Sequence, residues 1–131
     1  MFKRIDHIEI VTDKIDETVR FYTEILGFTV RERDHVALPG AGQGLNLVYL
    51  DLGGTTVELL KFDGVPVAAE PAKEHLGYRL MALEVDDMKG ALAYLRTKGV
   101  EAVWGPMFCE TYARAEIRDP NGYHIELRHW F

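Results

Sequence analysis

Three side chains that can bind a divalent metal ion or move a proton, His7, Glu58 and Glu126, occur in segments with strand-like composition. His7 begins an alternating segment, and each glutamate lies between two aliphatic residues, in the runs VEL and IEL. Imidazole and carboxylate groups together suit ions such as Mn²⁺, Ni²⁺, Co²⁺ and Zn²⁺. A carboxylate beside such an ion can also carry a proton. A carboxylate with apolar neighbours lies either on a solvent-facing strand or inside a polar cup.

An internal repeat shows which elements must position these groups. The segment from His7 aligns with the segment from Leu80, and the segment from Asp51 aligns with that from Asp119, which places Glu58 over Glu126. Each copy reads as an alternating strand, an amphipathic helix closed by glycine, and further strands that end in a hairpin with an Asp-x-x-Gly turn. A further hairpin turn is predicted at 40–44. We therefore predict an α+β fold of tandem βαβββ modules.

The predicted modules belong to one domain, 1–131, with module one at about 1–62, a linker at about 63–77 and module two at about 78–131. Duplicated modules usually pack about a pseudo-two-fold axis, so equivalent residues are expected to converge near that axis. Because side chains alternate across a strand, His7 faces away from Ile8 and Ile10, which face the helix. The repeat therefore favours a polar cup for both glutamates.

Three segments, HIEIVTDKIDETVRFYTEILGF, TTVELL and DPNGYHIEL, occur in the order and spacing typical of one family. They resemble the vicinal-oxygen-chelate superfamily, which includes glyoxalase I, bleomycin-resistance proteins and extradiol dioxygenases. The likeness covers nearly the whole chain and implies the glyoxalase/bleomycin-resistance fold, a cup of curved mixed sheet. In metal-dependent members, four corresponding positions hold a divalent metal. The resemblance implies that His7, Glu58 and Glu126 occupy three of them.

The fourth corresponding position holds Leu80, which cannot bind a metal. His124, two residues before Glu126 on the same strand face, is the best substitute ligand, although a strand histidine taken alone is more often solvent-facing or otherwise satisfied. The expected cofactor is a divalent ion, Ni, Mn, Co or Zn, bound less tightly than by four ligands. Two histidines and one carboxylate cannot be assembled from the four positions, which weakens an extradiol-dioxygenase interpretation.

Two functions fit these residues. The first is a glyoxalase-like metal-dependent lyase or isomerase, similar to lactoylglutathione lyase, that transfers a proton next to a carbonyl of a small molecule. Glu126 or Glu58 would be the catalytic carboxylate, and His7 would serve as a ligand only. The alternative is a metal-free small-molecule or antibiotic-binding protein of bleomycin-resistance type. A purely structural dimerisation module is a third possibility, and it explains neither glutamate.

The binding-protein alternative assigns other roles to the same cup. Leu80 becomes an apolar wall, and aromatic side chains near the cup stack on the ligand; these are Tyr49, Phe62, Trp104 and Trp130. The buried glutamates then need a bound cation or an arginine, because an unpaired buried carboxylate is costly. The candidate partners are Arg114, Arg118 and Arg128.

Charge and cysteine content restrict the partners and the compartment. Fifteen basic and twenty-one acidic residues give a net charge of −6, which disfavours nucleic acid and anionic membrane surfaces as partners. The apolar runs are too short to span a membrane. Cys109 is the only cysteine, and the N-terminus lacks a signal-peptide pattern, so we expect a cytoplasmic protein. The resemblance further implies a small-molecule ligand and a homodimer.

Overall fold

Each half of the sequence forms one strand, one helix and three further strands in the computed structural model, which describes residues 1–38, 43–69 and 75–131. The chain divides into two compact units, Met1–Ala68 and Ala69–Phe131. The single domain and the linker at 63–77 stay predictions, and residues 70–74 of that linker lie outside the described residues. Residues 40–42 of the predicted turn at 40–44 also lie outside the described residues.

The first unit contains a four-stranded mixed sheet with the order β1-β4-β3-β2. Strands β1 and β4 are parallel, and the other neighbours are antiparallel. Its elements are β1 (Ile8–Val11), α1 (Ile15–Arg20), a π-helical continuation of α1 (Phe21–Ile25), β2 (Thr29–Leu38), β3 (Gln43–Leu52) and β4 (Thr55–Phe62).

The second unit repeats this topology, with the strand order β5-β8-β7-β6 and with β5 and β8 parallel. Its elements are β5 (Met81–Glu84), α2 (Met88–Thr97), β6 (Trp104–Phe108), β7 (Tyr112–Arg118) and β8 (His124–Trp130). Because both units have the same element and strand order, the predicted α+β fold of tandem βαβββ modules is confirmed.

One face of each sheet is apolar and packs on the helix of its own unit. In the first unit, Ile10 and Leu59 are register partners and are buried. In the second unit, Ile125 and Leu127 are buried on β8, which α2 contacts. Asp87 caps the N-terminus of helix α2, because its carboxylate accepts hydrogen bonds from the backbone N–H groups of residues 89 and 90. No helix in the described ranges is long and apolar enough to cross a membrane.

The opposite face of each sheet carries the candidate site residues. Glu58 on β4 lies beside Glu9 on β1 and Tyr49 on β3. Glu126 on β8 lies beside Ala82 on β5 and Glu116 on β7. Because strand side chains alternate between faces, the strand register alone places each glutamate on the face away from the helix.

Candidate functional site

The imidazole of His7 makes polar contacts through both of its nitrogens. Its Nδ1 atom lies 3.0 Å from the Oδ2 atom of Asp6, and its Nε2 atom lies 3.1 Å from the Oε2 atom of Glu58. The Nε2 atom is also 3.5 Å from the Oε1 atom of Glu9. Glu58 is only 5% exposed, so its contact with His7 is largely shielded from water.

Three carboxylates around one imidazole change its protonation. The hydrogen bond to Asp6 is the main cause that raises the pKa of His7; burial opposes the rise, and Glu9 and Glu58 add to it. The imidazolium form donates from both nitrogens, which matches the acceptors that surround it. The hydroxyl of Tyr49 donates a further hydrogen bond to Glu58, and this bond raises the pKa of Tyr49.

His7, Glu9 and Glu58 form a donor set that fits a divalent ion. Each offers one ligand atom, and these atoms lie within 4.8 Å of one another. Asp6 holds Nδ1 and so directs Nε2 towards the two glutamates, as carboxylates commonly do for metal-binding histidines. Sequence reasoning selected His7 and Glu58 but did not include Glu9 in this cluster. The signal was present, since Glu9 is two residues from His7 on the same strand face.

Glu126 has a different environment in the second unit. Its Oε2 atom lies 2.9 Å from the Nη2 atom of Arg114, and its Oε1 atom accepts a 2.7 Å hydrogen bond from the Nε atom of Arg128. Two of the three arginines named from the sequence as partners for a buried glutamate, Arg114 and Arg128, therefore contact Glu126. His7 and Glu58 belong to the first unit and Glu126 to the second, so the convergence of all three stays a prediction.

The residues predicted around the fourth ligand position also lie in the second unit. Leu80 is half-buried just before β5. The Nδ1 atom of His124 lies 3.1 Å from the Oε2 atom of Glu116, so this nitrogen of the proposed substitute ligand already has a partner. Sequence reasoning missed Glu116. The alternation of Arg114, Glu116 and Arg118 with apolar residues along β7 would have placed it on the face of Glu126.

Glu116 is a buried carboxylate held by positive charge. Its Oε1 atom lies 2.9 Å from the Nη2 atom of Arg79 and 3.1 Å from the Nη2 atom of Arg114. Burial alone would raise the pKa of Glu116, but hydrogen bonds from Arg79 and His124 outweigh burial and lower it. Because the folded state holds the carboxylate below its ordinary pKa, Glu116 stabilises the fold above that ordinary value.

We expect this stabilisation to disappear on acidification. The difference in melting temperature between wild type and Glu116→Gln should be largest near neutral pH and should shrink as the pH falls through the lowered pKa of Glu116. Thermal denaturation followed by circular dichroism at a series of pH values measures this difference. Glu101→Gln, at an exposed ion pair, is the control. A difference between wild type and Glu116→Gln that is independent of pH would contradict the assignment.

The aromatic side chains predicted near the site divide between the two units. Tyr49 lies edge-on to His7, with ring centroids 6.0 Å apart, and Phe62 is half-buried at the end of β4. In the second unit, Trp104 and Trp130 are 43% and 56% exposed. The predicted aromatic residues therefore lie on the polar faces of both sheets.

The fold and the order of its elements agree with one protein family. A sequence model described as the Glyoxalase/Bleomycin resistance protein/Dioxygenase superfamily matches residues 4–127. The chain belongs to this superfamily, and the family resemblance seen in the sequence is confirmed.

Individual relatives include enzymes that carry this fold. The chain is 30% identical to human mitochondrial methylmalonyl-CoA epimerase, over 95% of the chain and 72% of that protein. It is similar to the trypanothione-dependent glyoxalase I of Leishmania major, with 28% identity, a TM-score of 0.73 and coverage of 98% of the chain and 87% of that structure. A glyoxalase family protein from Bacillus cereus superimposes with a TM-score of 0.86 at 24% identity, covering 100% and 96%.

Proposed function

We propose that the protein is a metal-dependent isomerase or lyase that transfers a proton at the carbon next to a carbonyl group of a small molecule. The observation that carries this proposal is the cluster of His7, Glu9 and Glu58, whose ligand atoms lie within 4.8 Å of one another. Similarity to an epimerase and to a glyoxalase I supports the same class of reaction. We further propose that the protein acts in the cytoplasm as a homodimer.

The proposed metal ligands are His7, Glu58 and the added ligand Glu9, with Glu126 as the further ligand expected from the family resemblance. A divalent ion, Ni, Mn, Co or Zn, supplies positive charge that stabilises negative charge on the substrate oxygens. Asp6 keeps Nε2 of His7 directed at the two glutamates, and the hydroxyl of Tyr49 restrains Glu58. This arrangement holds the ligands in place before substrate arrives.

Glu58 and Glu126 are the two candidate proton carriers. Both oxygens of Glu126 contact guanidinium groups, so Glu126 would have to break an ion pair before taking a proton from a substrate. Glu58 contacts His7 and Tyr49, neither of which is a permanent cation. Glu58 is therefore better placed than Glu126 to move the proton, and Glu9 supplies a second carboxylate ligand to the ion.

Solvent-deuterium exchange tests the proposed reaction. Methylmalonyl-CoA is the first probe, because one relative is named methylmalonyl-CoA epimerase. Lactoylglutathione is the second probe. We expect metal-loaded protein in deuterium oxide to incorporate deuterium at the carbon next to the carbonyl, and chelator-treated protein to incorporate none. Mass spectrometry of the recovered compound measures the exchange. If metal-loaded protein incorporates deuterium into neither probe, the reactions of the epimerase and of glyoxalase I do not apply to this chain.

The metal-free binding protein is retained as a second candidate because of one feature of the second unit. Arg114 and Arg128 already neutralise Glu126, which is the arrangement that a binding site without metal needs. Exposed tryptophans beside these arginines offer surfaces for stacking. Metal titration separates the two candidates, because only the enzyme requires the ion.

A further inference from the structure

Arginines hold the buried carboxylates on the polar face of the second sheet. Glu116 contacts Arg79 and Arg114, and Glu126 contacts Arg114 and Arg128. Arg114 therefore contacts both glutamates and is the guanidinium group that they share.

One guanidinium on this face has an unused donor. Among the described residues, the Nε atom of Arg114 is buried and has no hydrogen-bond acceptor, while its Nη2 atom serves both glutamates. A buried donor without an acceptor is unfavourable, and more so when the group is charged. An oxyanion at this edge of Arg114 would supply the acceptor that the protein itself does not.

Aromatic rings hold the arginines in defined orientations. The Cζ atom of Arg114 lies 4.8 Å from the ring centroid of Trp104. The Cζ atom of Arg128 lies 4.5 Å from the ring of Tyr112 and 5.0 Å from that of Trp130. Stacked guanidinium groups keep their N–H edges available for planar anions. Trp104 is 43% exposed, and a shift of its ring into solvent would open the buried Nε edge of Arg114 to an anion.

We propose that this face binds a carboxylate or phosphate group of the ligand, with Arg114 as the main anchor and Trp104 beside the bound anion. The inference rests on the proposed function only where it identifies that ligand as the substrate, which would then be an anionic carbonyl compound. Anion binding itself needs no metal ion. A test on metal-free protein can therefore fail or succeed independently of the proposed reaction.

The two tryptophans of the chain both lie on this face, so intrinsic fluorescence reports on it directly. Chelator-treated protein is titrated with malonate, with inorganic phosphate and with neutral malonamide at constant ionic strength. We expect a saturable change in tryptophan fluorescence with at least one anion and none with malonamide. A tighter response to malonate assigns the site to carboxylates, and a tighter response to phosphate assigns it to phosphoryl groups.

Arg114→Lys is the decisive variant, because lysine retains the positive charge near both glutamates but lacks the Nε edge. We expect the dissociation constant for the preferred anion to rise about tenfold or more, since a stacked, planar arginine site does not tolerate lysine. Arg96→Lys, at an exposed position of helix α2, is the matched control and should bind as wild type does. Trp104→Phe should remove most of the fluorescence response while binding persists by calorimetry.

Two results would overturn the proposal. One is an unchanged wild-type fluorescence with both anions, confirmed by the absence of heat in calorimetry. The other is saturable binding that Arg114→Lys leaves unaltered, since the anion would then occupy another place. Circular dichroism of each variant shows whether the fold is retained, and if Arg114→Lys does not fold, the wild-type titration still decides.

Discussion

Glu58→Gln is expected to weaken divalent-metal binding by about 100-fold or more, because it removes a charged ligand from the proposed metal-binding cluster. Glutamine has nearly the same shape as glutamate and can still hydrogen-bond to His7 and Tyr49. The change therefore removes charge and leaves the packing of this buried position intact. Calorimetry with Ni²⁺ or Mn²⁺, on protein freed of metal by a chelator, measures the dissociation constant.

Glu17→Gln is the matched control for this prediction. Glu17 is an exposed residue on helix α1 of the same unit, so its replacement changes the net charge equally but leaves the cluster untouched. We expect its metal affinity to equal that of wild type. Equal affinity in Glu58→Gln would place the ion elsewhere. If wild-type protein binds no ion at millimolar concentration, the metal-dependent enzyme is excluded and the metal-free binding protein remains.

Glu126→Gln is expected to destabilise the protein by about 3 kcal/mol, because it breaks a buried ion pair from one side only. Glu126 is 5% exposed, and Glu126→Gln removes the carboxylate that Arg114 and Arg128 share, while Arg114 keeps its contact with Glu116. The free energy of unfolding from urea titration at neutral pH measures the loss.

Glu101→Gln provides the control for Glu126→Gln, since it breaks the exposed ion pair with Arg96. Exposed pairs contribute about 0–1 kcal/mol, so this variant should be nearly as stable as wild type. A similar loss in the two variants would contradict the structural role of Glu126. Metal calorimetry on Glu126→Gln adds a separate result, because affinity falls only if Glu126 is also a ligand, as the family resemblance implies.

The two modules share a backbone plan but carry different residues on their polar faces. In the first, an imidazole and two glutamates lie side by side, which favours a cation. At the equivalent register positions of the second, Leu80 replaces His7 and Ala82 replaces Glu9, while arginines neutralise Glu126. Divergence of the duplicated modules thus placed a histidine–glutamate cluster on one polar face and an arginine–glutamate cluster on the other.

The sequence by itself determined the modules, the strand faces and the placement of Glu58 and Glu126. Periodicity of two or 3.6 residues is local, so it can be read along the chain without knowledge of distant contacts. The repeat then added the equivalence of His7 with Leu80 and of Glu58 with Glu126. Each of these statements depends on neighbouring residues or on a comparison within the chain.

Only the tertiary structure decided which charges meet. Glu9 joins His7 and Glu58 because β1 pairs with β4 across about fifty intervening residues. Glu116, which sequence reasoning missed, meets Arg79 and His124 through strand register and through the approach of a segment outside the sheet. An ion pair requires two charges within a few ångströms of each other. Alternation along one strand does not show which distant residue comes that close.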